Sequence, residues 1–363
     1  MAKRKGKIKL SNGLTTVIVI IVIAFALFNY FKEKNEESVK YSALNEIFTS
    51  EPVNASTDKM KIHFIDVGQG DCIFVEFPDG KNMLIDSGDN GEEDNVINYL
   101  KKLNVKDITL VIATHADADH TGGMKEVFEA FNIRFCLRPF VYYNGENRSQ
   151  FEDAFNILPS AEKSTHCKTK TYEAFLKSIL SEGCGYEYFN KNSDFEQNFT
   201  YAGAQSSYSI DFLTPVNSVS SIGYSDANDY SPVFTLTYSD FVIMFTGDAE
   251  AVAEKELLLG YPNLVDVDVL KVGHHGSETS TSIELLNKIK AENAVIMCGV
   301  GNKYGHPRQL TLDRLIDVNA TIWRTDLQGD IVIEIDSNGE YKFTSQKTAS
   351  ISDLIEGAIK IEK

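Results

Sequence analysis

The sequence predicts an αββα sandwich, two packed sheets with helices on the outside, preceded by a single transmembrane helix. Three observations carry this. Strand-like runs gather in two halves, one between about residues 61 and 137 and one from near Tyr208 to Phe343. Each half passes into helical stretches, the pattern of sheets covered on one face. Several strands end in a glycine followed at once by His or Asp, so the loops at one end of the sheets carry the chemistry.

Taken in order, Lys61 to Val67, Cys72 to Phe77 and Asn82 to Ile85 read as short strands, parted by Gly-Gln-Gly-Asp and by the Pro78-Asp79-Gly80 turn. Val96 to Leu103 has helical spacing, Ile108 to Ala113 is a buried strand, Met124 to Phe131 a helix and Ile133 to Leu137 a strand. Residues 139 to 205 are rich in Asn, Ser, Tyr and Lys, hold one clear helix around Tyr172 to Leu180, and read as a variable wall or lid. Val233 to Thr237 and Phe241 to Phe245 are strands, Glu250 to Leu259 a helix, and Ser352 to Ile359 a terminal helix.

The span is Leu14 to Phe31, eighteen residues without a charge. As a helix it extends about 27 Å, enough for a bilayer core. Lys3, Arg4, Lys5, Lys7 and Lys9 precede it, so the N-terminus is expected in the cytoplasm and the rest outside. Ala24-Phe25-Ala26 has the form of a cleavage site, which would make the protein secreted. Cleavage there would leave Leu27-Phe28-Asn29-Tyr30-Phe31 as an apolar start, which favours a retained signal anchor. The expected organisation is a basic tail (1–13), an anchor (14–31), a linker (32–58), a folded domain (59–347) and a C-terminal tail (348–363).

Beyond residue 31 the chain carries 30 Lys+Arg against 52 Asp+Glu, a net of −22. A surface of that sign repels polyanions at long range, which argues against basic-stripe binding of nucleic acid. The five cysteines include no C-x-x-C pair, and their odd number gives no disulfide framework. Cys72, Cys136 and Cys298 sit in apolar runs and read as small core residues, leaving Cys167 and Cys184 as the pair able to bridge.

The densest chemistry lies in Thr114 to Gly123, where His115, Asp117, Asp119 and His120 fall within six residues behind a buried strand. Two carboxylates so close repel unless a cation offsets them, and an acidic helix cap does not account for the flanking histidines. Asp248 ends Phe241-Val-Ile-Met-Phe-Thr-Gly-Asp, His274 and His275 follow Val267 to Gly273, and His306 sits in Asn302-Lys-Tyr-Gly-His-Pro. Five of the seven histidines therefore belong to three of these four loop segments, a concentration that ordinary core usage does not produce. His63, within a strand, reads as structural, and His166 as a surface residue of the insert.

These segments resemble the metallo-β-lactamase superfamily, and within it the hydrolase domain of ComEC-type competence proteins, without their multi-helix channel. The resemblance spans about residues 60 to 345. It rests on FIDVGQGD (64–71), LIDSGD (84–89), THADADHTGG (114–123), FTGDAE (245–250), LKVGHHGS (270–277), YGHP (304–307) and WRTDLQGD (323–330).

The resemblance implies two divalent metal ions, zinc or manganese. One would take His115, Asp117 and His274, the other Asp119, His120 and His306, with Asp248 bridging. Asp117 stands where a second histidine is more usual, and a harder ligand brings manganese into contention. His275 is left as an outer or proton-transfer group, and Asp119, His275 and Asp248 are the expected catalytic residues. Asp86 and Asp71 are candidates for orienting the histidines. Asn228, Ser231, Asn302 and Tyr304 are candidates for substrate contact. With two dications and three carboxylates the pocket is left at about +1, which suits an anion. The implied activity is phosphodiester or nuclease hydrolysis by a metal-activated water, with phosphoester substrates, DNA among them, as in DNA uptake during competence. The alternatives are a phosphorylcholine-esterase-like hydrolase and a surface module that binds without turnover.

Overall fold

The computed structural model describes residues 57–139, 169–188, 198–202, 207–215, 224 and 226–358. The expected anchor (14–31), nearly all of the linker, His166 and Cys167 lie outside them. Among the described residues no helix is long and apolar enough to cross a membrane.

The strands are β1 (Lys59–Phe64), β2 (Ile73–Glu76), β3 (Asn82–Ile85), β4 (Asp107–Ile112), β5 (Asn132–Arg138), β6 (Gly185–Tyr188), β7 (Asn198–Ala202) and β8 (Ser207–Phe212). After these come β9 (Phe234–Tyr238), β10 (Phe241–Phe245), β11 (Val269–Lys271), β12 (Asn293–Ile296), β13 (Thr321–Arg324), β14 (Ile331–Asp336) and β15 (Tyr341–Ser345). They form an eight-stranded sheet, β15-β14-β1-β2-β3-β4-β5-β6, and a seven-stranded sheet, β13-β12-β11-β10-β9-β8-β7.

Period-two patterning sets the core. Met60, Ile62 and Phe64 of β1 point between the sheets, where they meet Ile210, Phe234, Leu236, Phe245 and Val269 of the second sheet. Phe74, Leu84 and Val111 point the other way, beneath helices Glu93–Lys102, Met124–Ala130 and Lys170–Glu182. Leu270, Ala294 and Ile296 do the same for the second sheet, under Ala251–Gly260, Ile283–Ile289 and Gln309–Asp317. Strands buried on both faces read as continuous apolar runs, which is why Ile108 to Ala113 stands out in the sequence.

β3 to β6 run parallel, and so do β10 to β13. Loops at the carboxyl ends of parallel strands are where α/β folds place ligands, and all four histidine-bearing or aspartate-bearing segments emerge there.

Two regions differ from expectation. The segment 139–205 is not only a wall: its described part adds β6 to the edge of one sheet and β7 to the edge of the other. These strands are only four and five residues long, too short for their alternation to stand out in the sequence. Residues 348–358, expected as a tail, are tied to the domain. The Arg324 guanidinium, locked to Asp326 at 2.7 Å, donates to the carbonyl oxygens of Asp353, Leu354 and Glu356. The Ala358 amide donates to Pro307.

Candidate metal centre

Each of the clustered side chains is presented by a loop that the backbone can form only with particular residues. Gly70 has φ of +143°, and a Cβ there would lie 2.2 Å from the Asp119 carbonyl oxygen, so the Gly-Gln-Gly-Asp loop can touch the metal-type loop only through glycine. Gly276 (φ +84°) likewise faces Pro307, where a Cβ would come within 2.7 Å. His274 and His275 are themselves left-handed (φ 49° and 54°), as is Asp86 (φ 57°). Left-handed backbone costs an L-residue about 1–2 kcal/mol and recurs where function holds it in place.

The side chains converge on one oxygen. Asp248 Oδ2 lies 3.3 Å from His120 Nε2, 3.4 Å from His275 Nε2, 3.7 Å from His274 Nε2 and 3.9 Å from His115 Nε2. His275 Nε2 is also 3.3 Å from Asp119 Oδ2 and 3.1 Å from His120 Nε2. The opposite ring nitrogens are held from behind. His120 Nδ1 meets Asp86 Oδ2 at 2.7 Å, His275 Nδ1 donates to the Met297 carbonyl at 3.0 Å, and His274 Nδ1 meets Glu250 Oε1 at 3.0 Å. Thr114 and Ser231 hydroxyls flank His115 Nδ1 at 3.2 and 3.4 Å. Anchoring Nδ1 fixes the ring and leaves Nε2 as the free donor, the arrangement metal-binding imidazoles use.

His120, Asp248, His275 and Asp71 offer ligand atoms within 4.8 Å of one another, all buried. Asp71 sits at the back of the cluster: Oδ2 pairs with Lys271 Nζ at 2.7 Å, while Oδ1 lies 3.2 Å from His275 Nδ1 without a hydrogen bond. Lys271 is thus a buried ion-pair partner.

Several buried atoms here lack a hydrogen-bond partner, namely His115 Nε2, Asp248 Oδ1, His306 Nδ1 and Asp71 Oδ1. Leaving a buried polar atom unpaired costs about 1–3 kcal/mol, and a divalent cation would satisfy the first two. The donor set, imidazole nitrogens with carboxylate oxygens, fits such an ion.

Electrostatics agree with the geometry. Burial opposes charge on His120 and His275, but Asp248 with Asp86 holds the first well above its ordinary value, and Asp248 with Asp71 raises the second to about 10. Burial, together with the charge on His120, pushes His115 down to about 3. His306 falls to about 4 through burial and its histidine neighbours. Burial works against the Asp248 carboxylate, yet His120 and His275 hold it well below the usual range.

The expected ligands are not equivalent in place. His115, Asp119, His120, Asp248 and both His274 and His275 come together. His275 is the deeper of the pair, with its side chain 1% exposed, and stands against Asp119 and His120 where His306 was expected. His274 is 23% exposed and leans on Glu250. The buried His306 ring is 5.4 Å from that of His274 and 6.4 Å from that of His275. Asp117 is exposed at the start of the short helix Ala118–Thr121 and makes no cap bond, although burial on its cleft side and the charge of Asp119 raise its carboxyl.

Asn228 and Ser231 brace the site: Asn228 Nδ2 donates to Glu250 at 3.3 Å, and the Ser231 hydroxyl accepts from the Asp248 amide at 3.1 Å. Asn302 ties the His306 loop through bonds of 2.6 and 2.9 Å to that residue's backbone. Glu250 escaped sequence reasoning; its one signal was an acidic residue two positions after Asp248. His63 is part of a hydrogen-bonded chain with Glu76 and Tyr99, away from the centre.

Comparison with known proteins agrees with this geometry. Residues 65–172 match the model of the metallo-beta-lactamase superfamily. The chain is 27% identical over 289 residues to ComE operon protein 3 of Bacillus subtilis, covering 75% of this chain and 32% of that protein. It is 24% identical over 290 residues to competence protein ComA of Neisseria gonorrhoeae, covering 78% of this chain and 34% of the relative. The chain thus spans about a third of the length of these relatives. Among solved structures, a diphosphatase from the PhnP family is similar at 12% identity and a TM-score of 0.40, covering 77% of this chain and 99% of its own.

The family match thus covers β2 to β5 of the eight-stranded sheet and the loop that carries His115, Asp117, Asp119 and His120. Over about three quarters of its length the chain is similar to competence proteins.

Proposed function

We propose that the protein is a metal-dependent phosphodiesterase held at the membrane by residues 14–31, with its cleft on the extracytoplasmic side. The observation that carries the reading is Asp248 Oδ2 ringed by four imidazole Nε2 atoms. One ion would be held by Asp119, His120 and His275, and a second by His115 with Asp117 and His274 at the rim, Asp248 bridging. Zinc and manganese both suit these donors. Such ions supply an activated water and a Lewis acid for a phosphoryl oxygen.

The chain's own residues do the rest. Asp86 and the Met297 carbonyl fix His120 and His275, keeping Nε2 of each toward the centre. Ser231 fixes the Asp248 backbone. Lys303 and Arg308, exposed beside His306, give an otherwise acidic chain a local attraction for a phosphoester.

The test is metal content together with turnover of bis-p-nitrophenyl phosphate, p-nitrophenyl phosphorylcholine and single-stranded DNA by the full chain. Two metals per chain and cleavage abolished by Asp248→Ala are expected. Metal uptake without cleavage of any phosphoester would leave a binding module. A preference for the phosphorylcholine ester would move the protein to the esterase reading.

A further inference from the structure

Of the segments singled out in the sequence, WRTDLQGD (323–330) supplies none of the clustered side chains. Trp323 and Arg324 end β13, and the chain turns at once into the short helix Thr325–Gln328. β12 and β13 pair in register as far as Ile296 and Arg324. Past that point one side chain makes the contact. The buried Thr325 hydroxyl accepts from the Cys298 amide at 3.0 Å and donates to the Cys298 carbonyl at 3.1 Å, a double role that a hydroxyl can fill and a methyl cannot. Thr325 is itself held, since Gln328 Oε1 accepts from the Arg324 amide at 2.8 Å and the Gly329 amide donates to the Thr325 carbonyl at 2.9 Å.

The Cys298 amide and the Met297 carbonyl belong to one peptide unit, which is planar and carries its N–H and C=O on opposite edges. Thr325 holds the N–H edge, and the C=O edge accepts from His275 Nδ1 at 3.0 Å. A rival acceptor lies close by: Asp71 Oδ1 is 3.2 Å from the same nitrogen and without a hydrogen bond. The acceptor that His275 takes sets the turn of its ring, and with it the place of Nε2 beside Asp119 (3.3 Å) and Asp248 (3.4 Å). We propose that Thr325 is a positioning residue for the metal centre, pinning the peptide plane between Met297 and Cys298 so that its carbonyl stays aimed at His275. This rests on the metal-centre reading and extends it to a residue outside the cluster.

The test compares the full chain with its Thr325→Val, Thr325→Ser and Thr109→Val variants. Thr109 is a buried control toward the amino end of β4, where its hydroxyl accepts from the Asn82 amide at 3.3 Å. Zinc affinity is read by chelator competition, and the ligand field by the visible absorption of cobalt-loaded protein. Thr325→Val should weaken the tighter zinc by about tenfold or more and shift the cobalt bands, the effect of losing an outer partner of a metal-binding histidine. Thr325→Ser should bind as the wild type does, and Thr109→Val should leave both readings unchanged whatever its melting temperature. Wild-type affinity in Thr325→Val, or an equal loss in Thr109→Val, overturns the proposal. If Thr325→Val does not fold, hydrogen exchange of the wild type decides: zinc should slow exchange at the Cys298 amide, because coupling between two sites is reciprocal, and an unchanged rate overturns the proposal. If no metal binds at all, the metal-centre reading falls. The His275 Nδ1 proton, followed by nuclear magnetic resonance, then decides for Thr325: slow exchange in wild type and fast in Thr325→Val is expected, and equal rates overturn it.

Discussion

The Nε2 atoms of His120 and His275 lie 3.1 Å apart, although 155 residues separate the two in the chain. Two protonated imidazoles repel at that distance, so the pair is arranged for something shared between them, and Asp248 and Asp119 stand beside it to balance the charge. His275→Ala should therefore abolish the tighter metal and at least about a thousandfold of turnover, comparable to losing a principal group. His274→Ala should keep one tightly bound metal and lose the second. Metal counting on both variants separates the roles of the neighbours; equal loss from both would reject the assignment.

Metal uptake should be strongly pH-dependent. In metal-stripped protein, Asp248 with Asp86 raises His120 and Asp248 with Asp71 raises His275 to about 10, so the pair holds a proton at neutral pH. A metal must displace what is held there, so apparent affinity should rise about tenfold per pH unit for each proton released. Calorimetry in two buffers of different ionisation enthalpy counts them. The same raised values mean that these pairs stabilise the stripped protein fully below the unfolded histidine value, and that this support is lost as pH climbs toward 10. Chelated protein should accordingly melt lower at pH 10 than at pH 6 by a wider margin than loaded protein.

Lys271→Met would strand the Asp71 carboxylate, buried and paired with that lysine at 2.7 Å. Removing one partner of a buried pair costs about 3–5 kcal/mol. Denaturant titration should show this loss, and Asp71→Asn added to Lys271→Met should restore part of it. Full additivity of the two changes would contradict the pairing.

Gly70→Ala should weaken metal binding without altering any ligand. The new methyl would meet the Asp119 carbonyl and press that loop away from His275. A lower apparent affinity with unchanged far-ultraviolet circular dichroism is the expected result.

Much of this was legible in the chain. Strands buried on both faces announce themselves as apolar runs, and glycine before a ligand marks a sharp turn, so the two sheets and the loops of His115, Asp248 and His275 could be placed in advance. The order within the site was less legible. His274 and His275 are adjacent, and which of them points inward depends on two left-handed residues that no periodicity reports. The placing of His306 depends on how the Asn302-braced loop meets Gly276. Edge strands β6 and β7 went unseen because four or five residues carry too short an alternation to stand out within a polar insert.

The two sheets are joined at the centre by ligands from both. His115, Asp119 and His120 follow β4 in the first, while Asp248 and His275 follow β10 and β11 in the second. A ribosome that has released only the first half has made an acidic fragment with two imidazoles and nothing to close around an ion. Metal can be taken up in the full geometry only after residue 275 has emerged, so the cation acts as a rivet set last. Its removal should loosen the seam between the sheets before it disturbs either sheet alone.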